Sequence, residues 1–178
     1  MYKDEDQAVY EKLMNDTFPG LTMFVRDVNL NIVCAEMYQP GMFLHERGFT
    51  DATKRVMGMI TSHRFAILSN HMADLSLFEH GTNWGLCVAK NGSHFKVLDV
   101  YEYEALTQIL LLHLPDDDRW DMFQHTKFSI EDQLVETSRA RFRNKALLAP
   151  VPELTTNEWL NRCAEPLGMD EHGNLFDL

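Results

Sequence analysis

The sequence predicts an α+β domain: an antiparallel five-stranded sheet with a central helical crossover and C-terminal helices. Three observations carry that expectation. Strand-like runs lie on both sides of a helical block, the arrangement of an α+β rather than an alternating βαβ chain. Turn residues at 27–31 and at Lys90-Asn91-Gly92-Ser93 separate pairs of such runs in the manner of hairpins. Beyond Pro115 the apolar spacing returns to a helical period. With 178 residues, 45% hydrophobic and 24% charged, the chain suits one globular domain with an appendage, divided as a core over 1–115 and a helical appendage and tail over 116–178.

Each element has a local reason. Residues 4–16 read as a short helix: Val9, Tyr10, Leu13 and Met14 share a face, and Asp4, Glu5 and Asp6 complement the positive end of the dipole. Pro19-Gly20 stops it. Over residues 21–28, Leu21, Met23 and Val25 alternate with their neighbours as in a strand, and residues 32–37 form a second apolar run. Residues 42–78 read as mainly helical, with Thr50 as a cap and Val56, Met57, Ile60 and His63 at helical spacing. Strands are expected at 84–89, 94–103 and 107–114, the last wholly aliphatic and ended by Pro115. Asp116-Asp117-Asp118 opens a helical segment, Ser129 caps a longer helix, and Thr155 with Glu158 makes a capping box for a last short one. Residues 168–178 read as a polar, mobile tail.

Charge and cysteine usage narrow the function classes. Sixteen Lys and Arg stand against 27 Asp and Glu, a net charge of −11 that disfavours a broad phosphate-binding surface and hence nucleic acid. Cys34, Cys87 and Cys163 are odd in number and widely spaced, which points to reduced thiols rather than a disulfide framework. The acidic N-terminus lacks the basic start and apolar core of a signal peptide, and residues 109–114 are too short a run to span a bilayer. A cytoplasmic protein without membrane contact is expected.

The stretch from Phe18 to Met37, with its Pro-Gly step, apolar strand ending in Asp and second run after a polar turn, resembles the opening of a PAS domain. Residues 51–77 would supply that family's central helices and residues 84–114 its last three strands, so the resemblance covers residues 18–114. Profilin-like and roadblock-like folds share much of the same order. The resemblance implies a sensory module in which one sheet face and the central helices enclose a small ligand or cofactor, and flanking helices dimerise.

Asp99 lies among Phe95, Val97, Tyr101 and Tyr103 on one strand face, where a carboxylate needs a partner or a proton, although Leu98 and Val100 inward with Asp99 in water is the commoner pattern. Cys87 and His94 flank the Asn-Gly turn, close enough across a hairpin for nucleophile and base, yet no cysteine-enzyme signature surrounds them. His63, His71 and His80 with Asp74 offer metal ligands at spacings of eight and nine, unlike the i, i+4 pair of a helical site. Arg139, Arg141, Arg143 and Lys145 suit a helix C-terminus better than a phosphate patch. Met42, Met57, Met59 and Met72 are compatible with an adaptable cavity.

The leading expectation is therefore a non-enzymatic, homodimeric regulatory module that binds a small apolar ligand, with Met57, Ile60, His71, Cys87, Phe95, Asp99 and Tyr101 around it. No cofactor and no metal is assigned. Two alternatives stay open: an acidic inhibitor or immunity-type protein that docks on a basic enzyme as its protein partner, and a small hydrolase or transferase using Cys87, His94 and Asp99.

Overall fold

The computed structural model describes residues 8, 9, 12, 15–124 and 129–178. The elements are β1 (Thr22–Val28), α1 (Ile32–Met37), β2 (Phe43–His45), β3 (Thr50–Thr53), β4 (His63–Ser69), β5 (Ala73–Asp74), β6 (Leu86–Ala89), β7 (His94–Tyr103), β8 (Leu106–His113), α2 (Ser129–Lys145) and α3 (Asn157–Arg162). Of the helix expected over 4–16, Ala8, Val9, Lys12, Asn15 and Asp16 are helical, and the rest lies outside the described residues.

The strands form one eight-stranded sheet in the order β2-β7-β8-β4-β1-β3-β6-β5. All neighbours are antiparallel except β4 and β8, which run parallel with Phe65 opposite Ile109 and Ile67 opposite Leu111. This corrects the expected five-stranded antiparallel sheet. The middle of the chain is not a helical crossover: it supplies β2, β3, β4 and β5. Strand β4 hid because both of its faces are buried, so its sequence reads as a continuous apolar run without alternation. Residues 32–37 are helical rather than extended, because the Asn31 side chain accepts a hydrogen bond from the Cys34 amide and caps the first turn.

The Lys90–Ser93 turn is present but does not join a hairpin. Strand β6 pairs with β3 and β5, whereas β7 pairs with β2 and β8. The tight hairpin lies instead between β7 and β8, where Glu104 and Ala105 both take positive φ, the geometry of a two-residue loop that matches strand twist.

Two apolar layers sandwich the sheet. Phe65, Ile67, Phe95, Val97, Ile109 and Leu111 pack on one face against Cys34 and Tyr38 and against Leu167 and Met169 of the C-terminal chain. Met23, Val25, Ala66, Leu68, Leu110 and Leu112 pack on the other, with Ile130, Leu134 and Val135 of α2 against them. The central helices expected to enclose a guest against the sheet are not formed, because residues 42–78 contribute strands to the sheet and side chains to both apolar layers.

Helix α2 is fixed to β7 by charged pairs. A bulge between Val97 and Asp99 resets the alternation of β7, so Val97 and Val100 both reach the first core layer while Lys96 and Asp99 turn towards α2. Lys96 pairs with Glu131 at 2.7 Å, and Arg139 donates to both carboxylate oxygens of Asp99 at 2.8 and 2.6 Å.

The C-terminal residues are not a free tail. The Gly168 amide donates to Glu46, the Phe176 amide to the Gly168 carbonyl, and Asp170 accepts from the amides of His172 and Asn174. The cap of α3 is Thr156 rather than Thr155, whose hydroxyl donates to the Pro152 carbonyl. Among the described residues no helix is long and apolar enough to cross a membrane.

Candidate functional site

The sheet is weakest between β1 and β3, whose only paired residues are Val25 and Thr53. Beyond that point the ladder between them stops, and a cleft of about 800 Å³ lies beside Phe24 and Lys54, the residues adjoining that pair. Its walls come from Thr22 and Phe24 of β1, from Lys54 just after β3, from Asp74 of β5, from Cys87 of β6, and from Thr137 and Arg141 of α2. That volume lies in the range of small-molecule sites, and the lining mixes apolar wall with a few charged groups as such sites do.

The charged groups of the cleft have defined partners. Lys54 Nζ lies 2.8 Å from Asp74 and 2.9 Å from the Ser76 hydroxyl. The Lys54 ammonium, with the Ser76 hydroxyl and amide, holds the Asp74 carboxyl down at about 2, so it is an anion at every physiological pH. The same contact raises the Lys54 pKa. Cys87 is the reverse case. Burial, with the Asp74 charge, pushes its thiol up to about 11, which keeps it protonated and a poor nucleophile.

A second unusual group lies further along β1. Arg26 is only 5% exposed, yet its guanidinium meets backbone carbonyls rather than a carboxylate: Nη1 donates to Asp51 and Nη2 to Glu165, each at 3.1 Å. Its Nε is buried and unpaired among the described residues. Buried polar groups are normally satisfied, so this orphaned Nε stands out. The C-terminal chain forms its cover. Arg162 pairs with Asp51 at 2.9 Å, and Trp159 packs on Trp84 with ring centroids 5.3 Å apart. Tyr38 exchanges hydrogen bonds with the carbonyl and amide of Leu167 at 2.7 and 3.0 Å. Burial raises the Tyr38 phenol far above its ordinary range, so the donated bond is permanent.

The loop between β5 and β6 is organised by Glu79. Burial alone would raise its pKa, but the Thr82 hydroxyl and the amides of Trp84, Leu86 and Gly85 outweigh that and hold it below the usual range. The carboxylate thus gathers the amides that start β6 and fixes one rim of the cleft.

The seven residues expected around a ligand fall in different places. Cys87 lines the cleft. His71 lines a separate pocket of about 400 Å³ with Asn70, Asp116 and Arg119. Phe95 is in the core, stacked on His113 at 5.0 Å. Asp99 is held by Arg139, and Tyr101 lies against Arg139 and accepts from Arg143. Met57 contacts Lys145, and Ile60 is 56% exposed. Cys87 and His94 do not face each other across a hairpin, because β6 and β7 are not sheet neighbours. Sequence reasoning missed Arg26 and Lys54, and it read Arg141 only as part of a helix-end cluster, with the phosphate role set aside. The only signal was an arginine inside an otherwise apolar strand, Phe24-Val25-Arg26.

No family model and no curated protein matches the sequence. Among solved structures, the chain is similar to the type III effector XopAI from Xanthomonas axonopodis pv. citri, with a TM-score of 0.47 and 16% identity over 55% of this chain and 43% of that one. It is similar to exoenzyme S from Pseudomonas aeruginosa, in complex with human 14-3-3 protein beta and bound to carba-NAD, with a TM-score of 0.46 and 14% identity over 71% of this chain and 62% of that one. It is also similar to the ADP-ribosyltransferase HopU1 of Pseudomonas syringae pv. Tomato DC3000, with a TM-score of 0.46 and 15% identity over 53% of this chain and 45% of that one. The chain thus matches less than half the length of XopAI and of HopU1. The PAS-like reading is corrected by the sheet itself, in which eight strands with a parallel β4–β8 pair stand where five antiparallel strands were expected. The non-enzymatic sensory module loses its premise with it: residues 42–78, expected as central helices that enclose a guest against the sheet, themselves supply strands of that sheet.

Proposed function

We propose that the chain is an enzyme that binds a nucleotide in the cleft between β1 and β3, with ADP-ribosyl transfer to a protein acceptor as its reaction class. The observation that carries the reading is the cleft itself. About 800 Å³ opens where the sheet divides, with two cations, Lys54 and Arg141, on its walls and the anionic Asp74 between apolar surfaces. Phosphate suits the cations, and a base or nicotinamide ring suits the apolar wall of Phe24, Leu68 and Met72.

The chemistry follows from charge. A phosphate that arrives at Lys54 competes with Asp74 for the ammonium. In the transfer step the bond between ribose C1′ and nicotinamide breaks, and nicotinamide leaves with the electron pair. The acceptor nucleophile, or water, bonds to C1′ and releases its proton to solvent. A carboxylate that stays ionised, as Asp74 does, stabilises the positive charge that builds on C1′ as the bond breaks. Cys87 takes no part as a nucleophile, because its thiol stays protonated.

Calorimetric titration of the full chain with NAD, together with nicotinamide release followed by chromatography, tests the reading. NAD is expected to bind, with at least about a tenfold loss of affinity in the Lys54→Ala, Arg141→Ala double variant, since each charge-assisted contact is worth roughly 1.5–3 kcal/mol before solvent screening. Asp74→Asn should bind NAD but release nicotinamide more slowly. No binding, with nicotinamide release at the buffer rate, overturns the proposal.

A further inference from the structure

The geometry points to a divalent transition-metal site of the zinc type formed by His71, His113 and Asp116, apart from the cleft. Strands β4 and β8, the parallel pair of the sheet, deliver the two histidines side by side: His71 follows the end of β4, and His113 ends β8. Asp116 follows three residues later, past Pro115. The Asp116 Oδ1 atom lies 3.8 Å from Nε2 of His71 and 3.8 Å from Nε2 of His113, and the three ligand atoms lie within 4.8 Å of one another. An ion about 2.1 Å from ligand atoms 3.8 Å apart subtends an angle of roughly 130°, close enough to tetrahedral that a small closure completes the set. The Leu114 carbonyl oxygen, 3.2 Å from His71 Nε2, offers a further oxygen beside the same point.

The surroundings of the two imidazoles prepare them as ligands. Asn70 donates its amide to the carbonyls of Thr17 and Pro19, at 3.0 and 3.2 Å, which fixes its oxygen towards His71 Nδ1 at 2.8 Å. That oxygen can only accept, so Nδ1 of His71 donates to it, and Nε2, which also faces an acceptor in the Leu114 carbonyl, gives up to solvent any proton it holds there when the ion binds. His113 Nδ1 lies 2.8 Å from the Ser69 hydroxyl, and its Nε2 lies 3.2 Å from the Ser93 hydroxyl, whose own proton goes to the Lys90 carbonyl at 2.6 Å. When the ion binds, the His113 proton sits on Nδ1 and is donated to Ser69, while Nε2 leaves Ser93 for the metal. No net proton is lost in that exchange.

The rings now stack at 3.8 Å and 21°, and His71, whose side chain is 27% exposed, turns about its outer torsion to aim Nε2 at the ion. The pocket of about 400 Å³ beside His71 and Asp116 gives the ion its entry and leaves room for a water in the open coordination position. Two imidazoles with one carboxylate favour zinc, or cobalt and nickel in its place, over magnesium or calcium. The ion would tie the segment after β8 to the sheet.

The test is titration of the full chain with Co²⁺ and with Zn²⁺, followed by visible absorption and calorimetry. The expected result is one ion per chain with the intense visible bands of tetrahedral Co²⁺, displaced by Zn²⁺. His71→Asn and Asp116→Asn, checked for native circular dichroism, should each weaken binding at least about 100-fold, a larger loss than removal of an outer-shell partner causes. His172→Asn, which alters an exposed histidine elsewhere, should bind as the parent does. If folded His71→Asn and Asp116→Asn bind the ion as tightly as the parent, or if the parent takes up no stoichiometric Co²⁺, the cluster is a hydrogen-bonded histidine pair and the metal site is refuted.

Discussion

Arg64 and Asp27 lie directly opposite each other on β4 and β1 and form a two-pronged pair, Nε to Oδ1 at 2.7 Å and Nη2 to Oδ2 at 3.0 Å. The Arg64 side chain is 2% exposed and that of Asp27 18%, so neither charge is well served by water once its partner is removed. Replacing Arg64 with Met leaves the Asp27 carboxylate largely buried and unpaired, and breaking a buried pair from one side costs about 3–5 kcal/mol. Asp27→Leu should cost a similar amount, because among the described residues the guanidinium left behind keeps only its long contact to the Gly58 carbonyl at 3.4 Å. The double variant replaces both charges by apolar groups, and such exchanges run from neutral to stabilising. With a urea slope of about 2 kcal/mol per molar, each single change should lower the unfolding midpoint by roughly 1.5–2.5 M, and the double change by far less. Urea unfolding followed by circular dichroism and tryptophan fluorescence gives the three values, and their double-mutant cycle gives the coupling. Single variants within 1 kcal/mol of the parent, or a double variant as unstable as the sum of the singles, would refute the assignment of this pair as what locks β1 to β4.

Gly58 meets the chain after α2, where a side chain has no room: an added Cβ would lie 1.7 Å from the Leu148 carbonyl oxygen. Gly58→Ala should therefore cost at least about 3 kcal/mol by displacing backbone, read as a drop in melting temperature, and an unchanged melting temperature would contradict that packing. Burial pushes the thiol of Cys87 up to about 11 and that of Cys163 up to about 12. At pH 8 iodoacetamide should then label both at least about a hundredfold more slowly than a free cysteine, by mass spectrometry of timed samples, and rapid labelling of Cys87 in folded protein would reopen its role as a nucleophile.

The parts of the fold that could be read from the sequence are those whose neighbours are local. Strands β1, β7 and β8 and helix α2 were anticipated nearly to the residue, since alternation, turn residues and Ser129 at the helix start act over a few positions. The middle of the chain was misread for one reason seen twice. Strand β4 is buried on both faces, and β3, Thr50-Asp51-Ala52-Thr53, is polar in sequence but enclosed by β1 and β6, so neither carries the period of the element it forms. The site was less legible still. Lys54 just after β3, Asp74 of β5 and Cys87 of β6 meet only through long-range strand pairing, and Arg141 reaches the cleft from α2. Asp99 was singled out as a buried carboxylate, and it is one, but Arg139, forty residues on, is its partner.

The cleft and the covered arginine trace to the same feature of the sheet. Because β1 and β3 share one paired position, the groups between them must find partners outside the sheet ladder. On one side of that position the gap stays open and Lys54 meets Asp74 within it. On the other, Arg26 reaches across to the Asp51 carbonyl and is closed over by the chain that carries Cys163 and Glu165. A guanidinium in such a place needs acceptors, and the Glu165 carbonyl is one of only two it has among the described residues. The anchors of that cover are spread widely: Trp159 on Trp84, Arg162 on Asp51, Leu167 on Tyr38, and Gly168 beneath Glu46. The C-terminal chain is therefore built into the divided sheet as much as any strand, and Arg26 is buried only while that chain stays seated.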